Sequence, residues 1–203
     1  MLETGKSFRG RGMAEAVGEA GGGHGVGDLG HLAGGDRLDV PLLDSPGALD
    51  ELAALGIDRI VVLPLFPHYA AASFGSAAAA ALSHASSRWT VPQVHVVEPF
   101  FDHPAFVSAL AEHVRTHLAA VQPDHVVLSY HGVPERHCKK TDVTGSYCLK
   151  SSTCCDSIVE ANRYCYRAQC FATTRALTAA LNLSAAEHSI SFQSRLGRTP
   201  WIQ

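Results

Sequence analysis

Charged residues are scarce in this chain, at 17%, and neither sign dominates: 16 lysines and arginines against 19 aspartates and glutamates give a formal net charge of -3. A surface that tracks nucleic acid phosphates needs a basic excess, so no nucleic-acid partner is expected. Long apolar runs are missing too. The longest uncharged apolar stretch, residues 60–66, falls far short of the ~20 residues a bilayer-spanning helix needs, and no transmembrane segment is expected. The opening MLETGK lacks a basic segment leading into an apolar run, which argues against a secretory signal and for a cytoplasmic chain. Apolar residues, by contrast, make up 46% of the 203. That share excludes disorder throughout, and the length suffices for one domain or two small ones without disulfide staples. Six cysteines in a cytoplasmic chain are then expected to be reduced or metal-bound.

Glycine is nearly absent from the later sequence: 13 of the 18 lie between Gly5 and Gly47. Residues 1–47 show no sustained period of 2 or 3.6 and are expected to be disordered. Gly21, Gly23 and Gly25 suggest a phosphate loop, but no strand pattern precedes them and no Gly-Lys-Ser/Thr follows. From Leu49 the pattern turns globular. Leu49, Leu52, Ala53 and Leu55 form a short helical face closed by Gly56, and residues 57–66 (IDRIVVLPLF) read as a buried parallel strand. A helix over 73–87, a strand over 91–97, a helix over 104–120 and a strand over 125–130 (HVVLSY) follow. A helix is expected over 163–183, with Ala168, Phe171, Ala172, Ala176, Ala179, Ala180 and Leu183 along its buried stripe, then a strand over 189–193 (SISFQ).

This alternation predicts an α/β fold built on parallel, Rossmann-like sheets, with chemistry at the carboxyl ends of the strands. The expected division is a Gly-rich segment 1–47, a first α/β domain over 48–122, and the start of a second over 123–203 with a Cys-rich insertion. No helix follows the last strand, so the fold is expected to be incomplete.

His131 follows the apolar strand and precedes Gly132, Val133 and Pro134, which puts its side chain at the strand's carboxyl end, on a turn where it can face a cleft. A neutral imidazole there can bind a metal or accept a proton near neutral pH, or simply bond its own loop. All six cysteines fall between Cys138 and Cys170. Such a concentration suits a soft metal centre, zinc or iron–sulfur, against the alternative of buried reactive thiols. The spacing is not that of a zinc ribbon. Adjacent Cys154 and Cys155 do not easily point at one metal, and Cys165 and Cys170 would lie ~140° apart on a regular helix, so a helix must start or bend between them if both are ligands. Residues 64–69 (PLFPHY) form a rigid aromatic loop suited to a flat apolar ligand or to the core, and Arg195 and Arg198 in QSRLGR could meet a ligand carboxylate or water.

Taken in order, SYHGVPERH (129–137), PLFPHYAAASFGSA (64–77) and FQSRLGRTPWI (192–202) resemble the motifs of the ferrochelatase family, over about residues 48–203. NRYCYRAQCFATTRAL (162–177) is similar to the cysteine-bearing helix of a bacterial [2Fe-2S] subgroup. The resemblance implies a chelatase-like fold and insertion of Fe2+, as substrate, into a porphyrin (protoporphyrin IX or coproporphyrin III) in haem formation. It implies His131 as the catalytic residue and Fe2+ ligand, Tyr130, Pro134, His68 and Tyr69 at the porphyrin, and a [2Fe-2S] cluster on Cys148, Cys155, Cys165 and Cys170, with Cys154 as substitute for Cys155. Family members are longer: the porphyrin-contacting lip is replaced here by residues 1–47, and the catalytic glutamate would fall beyond Gln203. Weak activity of this chain alone and self-association through unpaired strand edges are therefore expected. The competing readings are a cysteine-rich metal or redox module and a non-catalytic chelatase fragment.

Overall fold

A computed structural model describes the backbone of residues 13–17 and 45–203 and the side chains from residue 47 onward. The expectation of disorder for 1–47 lies, apart from residues 13–17 and 45–47, outside the described residues. The chain divides into two compact units, residues 1–65 with 72–98 and residues 66–71 with 99–203.

The first unit contains strands β1 (Met13–Val17), β2 (Arg59–Leu63) and β3 (Gln93–Val96) and helices α1 (Ser45–Ala54) and α2 (Ser76–Ser86). The strands pair in the order β1-β2-β3, all parallel, with Met13 opposite Arg59 and Arg59 opposite Gln93. β1 corrects the sequence reading, which sees no strand before the glycine-rich tract. Five residues without a strong β-branched run carry little local signal, and pairing to β2 is a non-local event. β2 is shorter than expected because Pro64 cannot donate to a ladder. α1 ends in a Schellman motif: Gly56, at φ 73°, donates to the Ala53 carbonyl and Ile57 to that of Leu52. Leu52 and Ile57 then both pack on the core of Leu49, Ile60 and Ala81.

The second unit holds α3 (Pro104–Val121), β4 (Val126–His131), α4 (Glu135–Lys140), α5 (Tyr166–Leu181) and β5 (His188–Gln193). β4 and β5 pair in parallel from Val126 opposite His188 to His131 opposite Gln193. α3 starts with Pro104 at its first turn and His103 as cap, whose Nδ1 accepts the Ala105 amide at 3.2 Å. It packs on α5, so the boundary expected at residues 122 and 123 falls inside this unit. The fold class is α/β with short parallel sheets, as the alternating pattern predicts. α5 differs from its predicted stripe. Ala179 is exposed, and the polar Gln169, Thr173, Thr174 and Thr178 are buried beside Ala168, Cys170, Ala172 and Leu177. Polar side chains enter a core when partners wait for them there, which periodicity does not report.

Truncating Ile60, 2% exposed on the middle strand of the first unit, to alanine is expected to cost about 3 kcal/mol. Val91→Ala, at a side chain that stands mostly in solvent, should stay within ~0.5 kcal/mol in the same urea unfolding measurement.

Candidate functional site

His131 is the last residue of β4, and its side chain is exposed. Its Nδ1 lies 2.7 Å from the carbonyl oxygen of Gly132. A carbonyl can only accept, so Nδ1 carries the proton and the lone pair is left on Nε2. The turn that follows is clamped by residues 193–202. Gly132 donates to the Gln193 carbonyl at 2.6 Å, Glu135 to that of Pro200 at 2.9 Å, and Ile202 to that of Val133 at 3.0 Å. A Cβ on Gly132 would stand 3.0 Å from the Ser194 carbonyl oxygen and 3.1 Å from that of Gln193, so a side chain there would push the clamping backbone away by a few tenths of an ångström. Trp201, held by its indole N–H on the Leu196 carbonyl, sets its ring 6.4 Å from that of His131. Two motifs some sixty residues apart in the chain thus form one surface.

Behind this surface lies a buried polar network on α5. Thr173 donates to the Phe101 carbonyl at 2.7 Å, which leaves its oxygen to accept from His68 Nε2 at 2.8 Å. The His68 ring is met edge-on by Tyr130 and Tyr166. Burial drives its pKa down to about 4, so it is neutral at physiological pH. The Tyr130 hydroxyl pairs with that of Thr174 at 3.0 Å, and burial pushes its pKa up to about 12. The Tyr69 amide donates to Gln169 Oε1, while Gln169 Nε2 donates to the Arg163 carbonyl, both at 2.6 Å. His68 and Tyr69 therefore stand against α5, with Tyr69 tilted on the Tyr164 ring. Pro134 is bridged to Trp201.

The six cysteines are free thiols, none more than 4% exposed. Cys138, Cys148, Cys154, Cys155 and Cys165 share one buried cluster with Val133, Ala168 and Ile202. Cys165 caps α5 in an extended conformation, so the helix does start between Cys165 and Cys170. The neighbouring Cys165 thiol pushes the Cys138 pKa up, while Cys138 holds that of Cys165 down, because the thiolate of Cys165 is favoured beside a protonated neighbour. Cys154 and Cys155 lie 3.8 Å apart at sulfur. Cys170 lies beside Tyr166, and burial raises its pKa. Among the described residues, no three His, Cys, Asp or Glu side chains converge as they would on a single metal ion.

The loop carrying these thiols has little secondary structure, and polar side chains that sequence reasoning missed hold it. Asp142 accepts four bonds, from the Thr144 amide and hydroxyl and from the amides of Tyr147 and Cys148. These bonds, led by the one from Cys148, hold its carboxyl far below the usual range. Asn162, fully buried, donates to the carbonyls of Cys154 and Ser157 and accepts from the Val159 amide. Arg175 donates to the Cys155 carbonyl at 2.8 Å. Only Asp142 has a local signal, its Asp-x-Thr turn pattern. Asn162, Gln169 and Arg175 look like ordinary helix or loop residues in the sequence.

The ferrochelatase family model matches residues 41–203, and the chain belongs to the ferrochelatase family. The ferrochelatase of Pseudomonas entomophila strain L48 is 38% identical over 159 residues, 78% of this chain and 47% of the relative. That of Pseudomonas syringae pv. syringae is 40% identical over 156 residues, 76% of this chain and 45% of the relative. That of Coxiella burnetii (strain Dugway 5J108-111) is 35% identical over 191 residues, 94% of this chain and 51% of the relative. The chain spans about half the length of the curated relatives it matches.

Two outcomes follow from the buried groups. Burial holds the folded His68 pKa down to about 4 against an ordinary value of 6.5, so between those pH values the unfolded chain binds the extra proton and stability falls as pH drops. Urea unfolding at pH 7 and pH 4.5 should show a loss of about 2 kcal/mol from this group, absent in His68→Gln. Asp142→Ala strands four donors at the start of the thiol loop. In metal-free protein, Cys148 should then be alkylated several-fold faster than in the parent, read by mass spectrometry.

Proposed function

We propose that this chain carries the histidine side of a porphyrin metalation site, in which Fe2+ is substrate and a free porphyrin its acceptor. The observation that carries this is the state of His131: Nδ1–H is spent on the Gly132 carbonyl, leaving the Nε2 lone pair on an exposed ring at a strand's carboxyl end. Metalation replaces two pyrrole N–H protons by one divalent ion. Nε2 accepts one of those protons and solvent water takes the other, or Nε2 holds the iron as it enters while both protons pass to water. Tyr130 and Pro134 shape the wall beside it. His68 and Tyr69 support that wall from the α5 side, through Thr173 and Gln169. The named relatives are ferrochelatases, which agrees with this substrate class.

We further infer a [2Fe-2S] cluster on Cys148, Cys155, Cys165 and Cys170, with Cys154 able to replace Cys155. Four thiolates satisfy such a cluster, and the support for it is that Cys148, Cys155 and Cys165 share one buried group, with Cys170 buried outside it. When bound it supplies one-electron chemistry. The protein's part is to exclude water and fix the sulfurs, which Asp142, Asn162 and Arg175 do through the backbone. Cys138 stands against Cys165 and is the competing ligand. Six cysteines without a disulfide suit a cytoplasmic chain, which is part of the proposed reading; no helix among the described residues is long and apolar enough to cross a membrane. Exposed Trp89 and Val127 make self-association part of the same reading, which sedimentation measures.

Anaerobic addition of Fe2+ or Zn2+ and free porphyrin, followed by the porphyrin spectrum, tests the first proposal. His131→Ala should slow metalation by at least ~10²-fold while porphyrin fluorescence quenching shows binding within about threefold; full retained activity would overturn the assignment. Protein purified anaerobically should be coloured and hold two irons and two sulfides per chain, lost in Cys165→Ser. Colourless or zinc-loaded protein would remove the cluster.

A further inference from the structure

We propose that this protein forms a two-fold dimer in which Trp89 of each copy enters an apolar groove of the other, between α2 and β3 of the first unit. The proposal gives a place and a geometry to the self-association read above, and rests on it. Trp89 lies on the short connection from α2 to β3 and is fully exposed, so its ring does not cover the surface of its own copy. A lone exposed apolar side chain needs no explanation, but this one has neighbours of its own kind. A groove of about 450 Å³ is lined by Leu82, Ala85, Val91, Pro92 and Val94 with two serines, and no charged side chain takes part. Ser86 and Val91, which flank Trp89 in the chain, both belong to its wall. The knob is also held firmly. The Ser87 and Arg88 amides close α2 on the His84 and Ala85 carbonyls, and Pro92 fixes the backbone beyond, so little freedom is lost on docking.

Knob and groove occupy one stretch of surface, which is what a two-fold contact requires: each copy gives the other what it receives, and the contact closes without propagating. The charges beside it are already matched within each copy. Asp50 accepts from His84 Nε2 at 2.9 Å and from the Arg88 guanidinium, so neither copy brings an unpaired charge to the rim. A fully exposed tryptophan carries roughly 150–250 Å² of surface. Two of them, with the groove walls they cover, bury roughly 600–1,000 Å², below the ~1,200 Å² at which stable interfaces begin, so the dimer is weak and reversible. A bilayer fits this face less well. Arg88 is already engaged by Asp50, the net charge of -3 opposes anionic headgroups, and a flat apolar phase has no knob for the groove.

The experiment is sedimentation velocity of the full chain over about 1–300 µM, on wild type, Trp89→Ala, Trp89→Phe and Val91→Asp, with circular dichroism to confirm that each variant is folded. Wild type should pass from monomer to dimer in this range, its tryptophan emission moving to shorter wavelength as it does. Trp89→Ala removes the knob and should weaken association at least about tenfold, while Trp89→Phe should stay within about threefold of wild type. Val91→Asp keeps the knob, spoils the groove, and should weaken association as Trp89→Ala does. Mixed together, Trp89→Ala and Val91→Asp retain one intact knob and groove and should associate more tightly than either alone. A wild-type dimer unchanged by both variants would overturn the assignment of this face and leave self-association standing. Wild type that is monomeric throughout would remove both. Monomer that pellets through Trp89 with phosphatidylglycerol–phosphatidylcholine vesicles would overturn the dimer in favour of a bilayer contact.

Discussion

Helix α5 buries four polar side chains, Gln169, Thr173, Thr174 and Thr178, and each must find a hydrogen-bond partner or cost its desolvation. Gln169 finds the backbone of Tyr69 and Arg163, Thr173 finds Phe101 and His68, and Thr174 finds Tyr130. Those partners sit on the 66–71 loop, the segment before α3, the last residues of β4 and, for Arg163, the segment before α5 itself. The helix is therefore the reference against which the site-forming segments of the second unit are placed. Apolar packing alone would have left their register free, because hydrophobic contact is not directional.

The same helix anchors the thiol loop. Cys165 caps it and Cys170 lies one turn and a half along, while Arg167 and Arg175 reach back to Cys155. The loop has no ladder of its own, so side chain to backbone bonds replace secondary structure. That arrangement is organised before any metal is considered. Val133 and Ile202 pack in the same buried cluster as five of the cysteines. The turn after His131 and the thiols thus share one core, and a volume change on one side is felt on the other.

The chain's strong periodic segments are legible in its sequence. α3 over Pro104–Val121, β4 and β5 stand within a residue or two of their predicted bounds, because branched apolar runs and the Pro104 start signal are local properties. β1 and α4 were not. One is five residues stabilised by pairing to β2, the other a six-residue helix inside a motif read for its chemistry. The buried stripe of α5 was misread for a related reason: alanine spacing marks a helix but not which face is covered once threonine and glutamine have partners.

The sequence by itself determined that a strand leads up to His131, that the thiols concentrate in one window and that a helix carries Cys170, since strand pattern, composition and helical spacing are all local; that the helix starts at Tyr166 and not at 163 is a matter of Cys165 taking the extended cap position. Only the tertiary structure decided that residues 193–202 clamp the His131 turn, that His68 is held inside against Thr173, and that Arg167 reaches Cys155. Each of these joins atoms from distant or differently folded segments, or depends on a rotamer fixed by its neighbours. Such contacts are set by which buried polar groups can be satisfied together, a condition on the whole unit that no single stretch of chain carries.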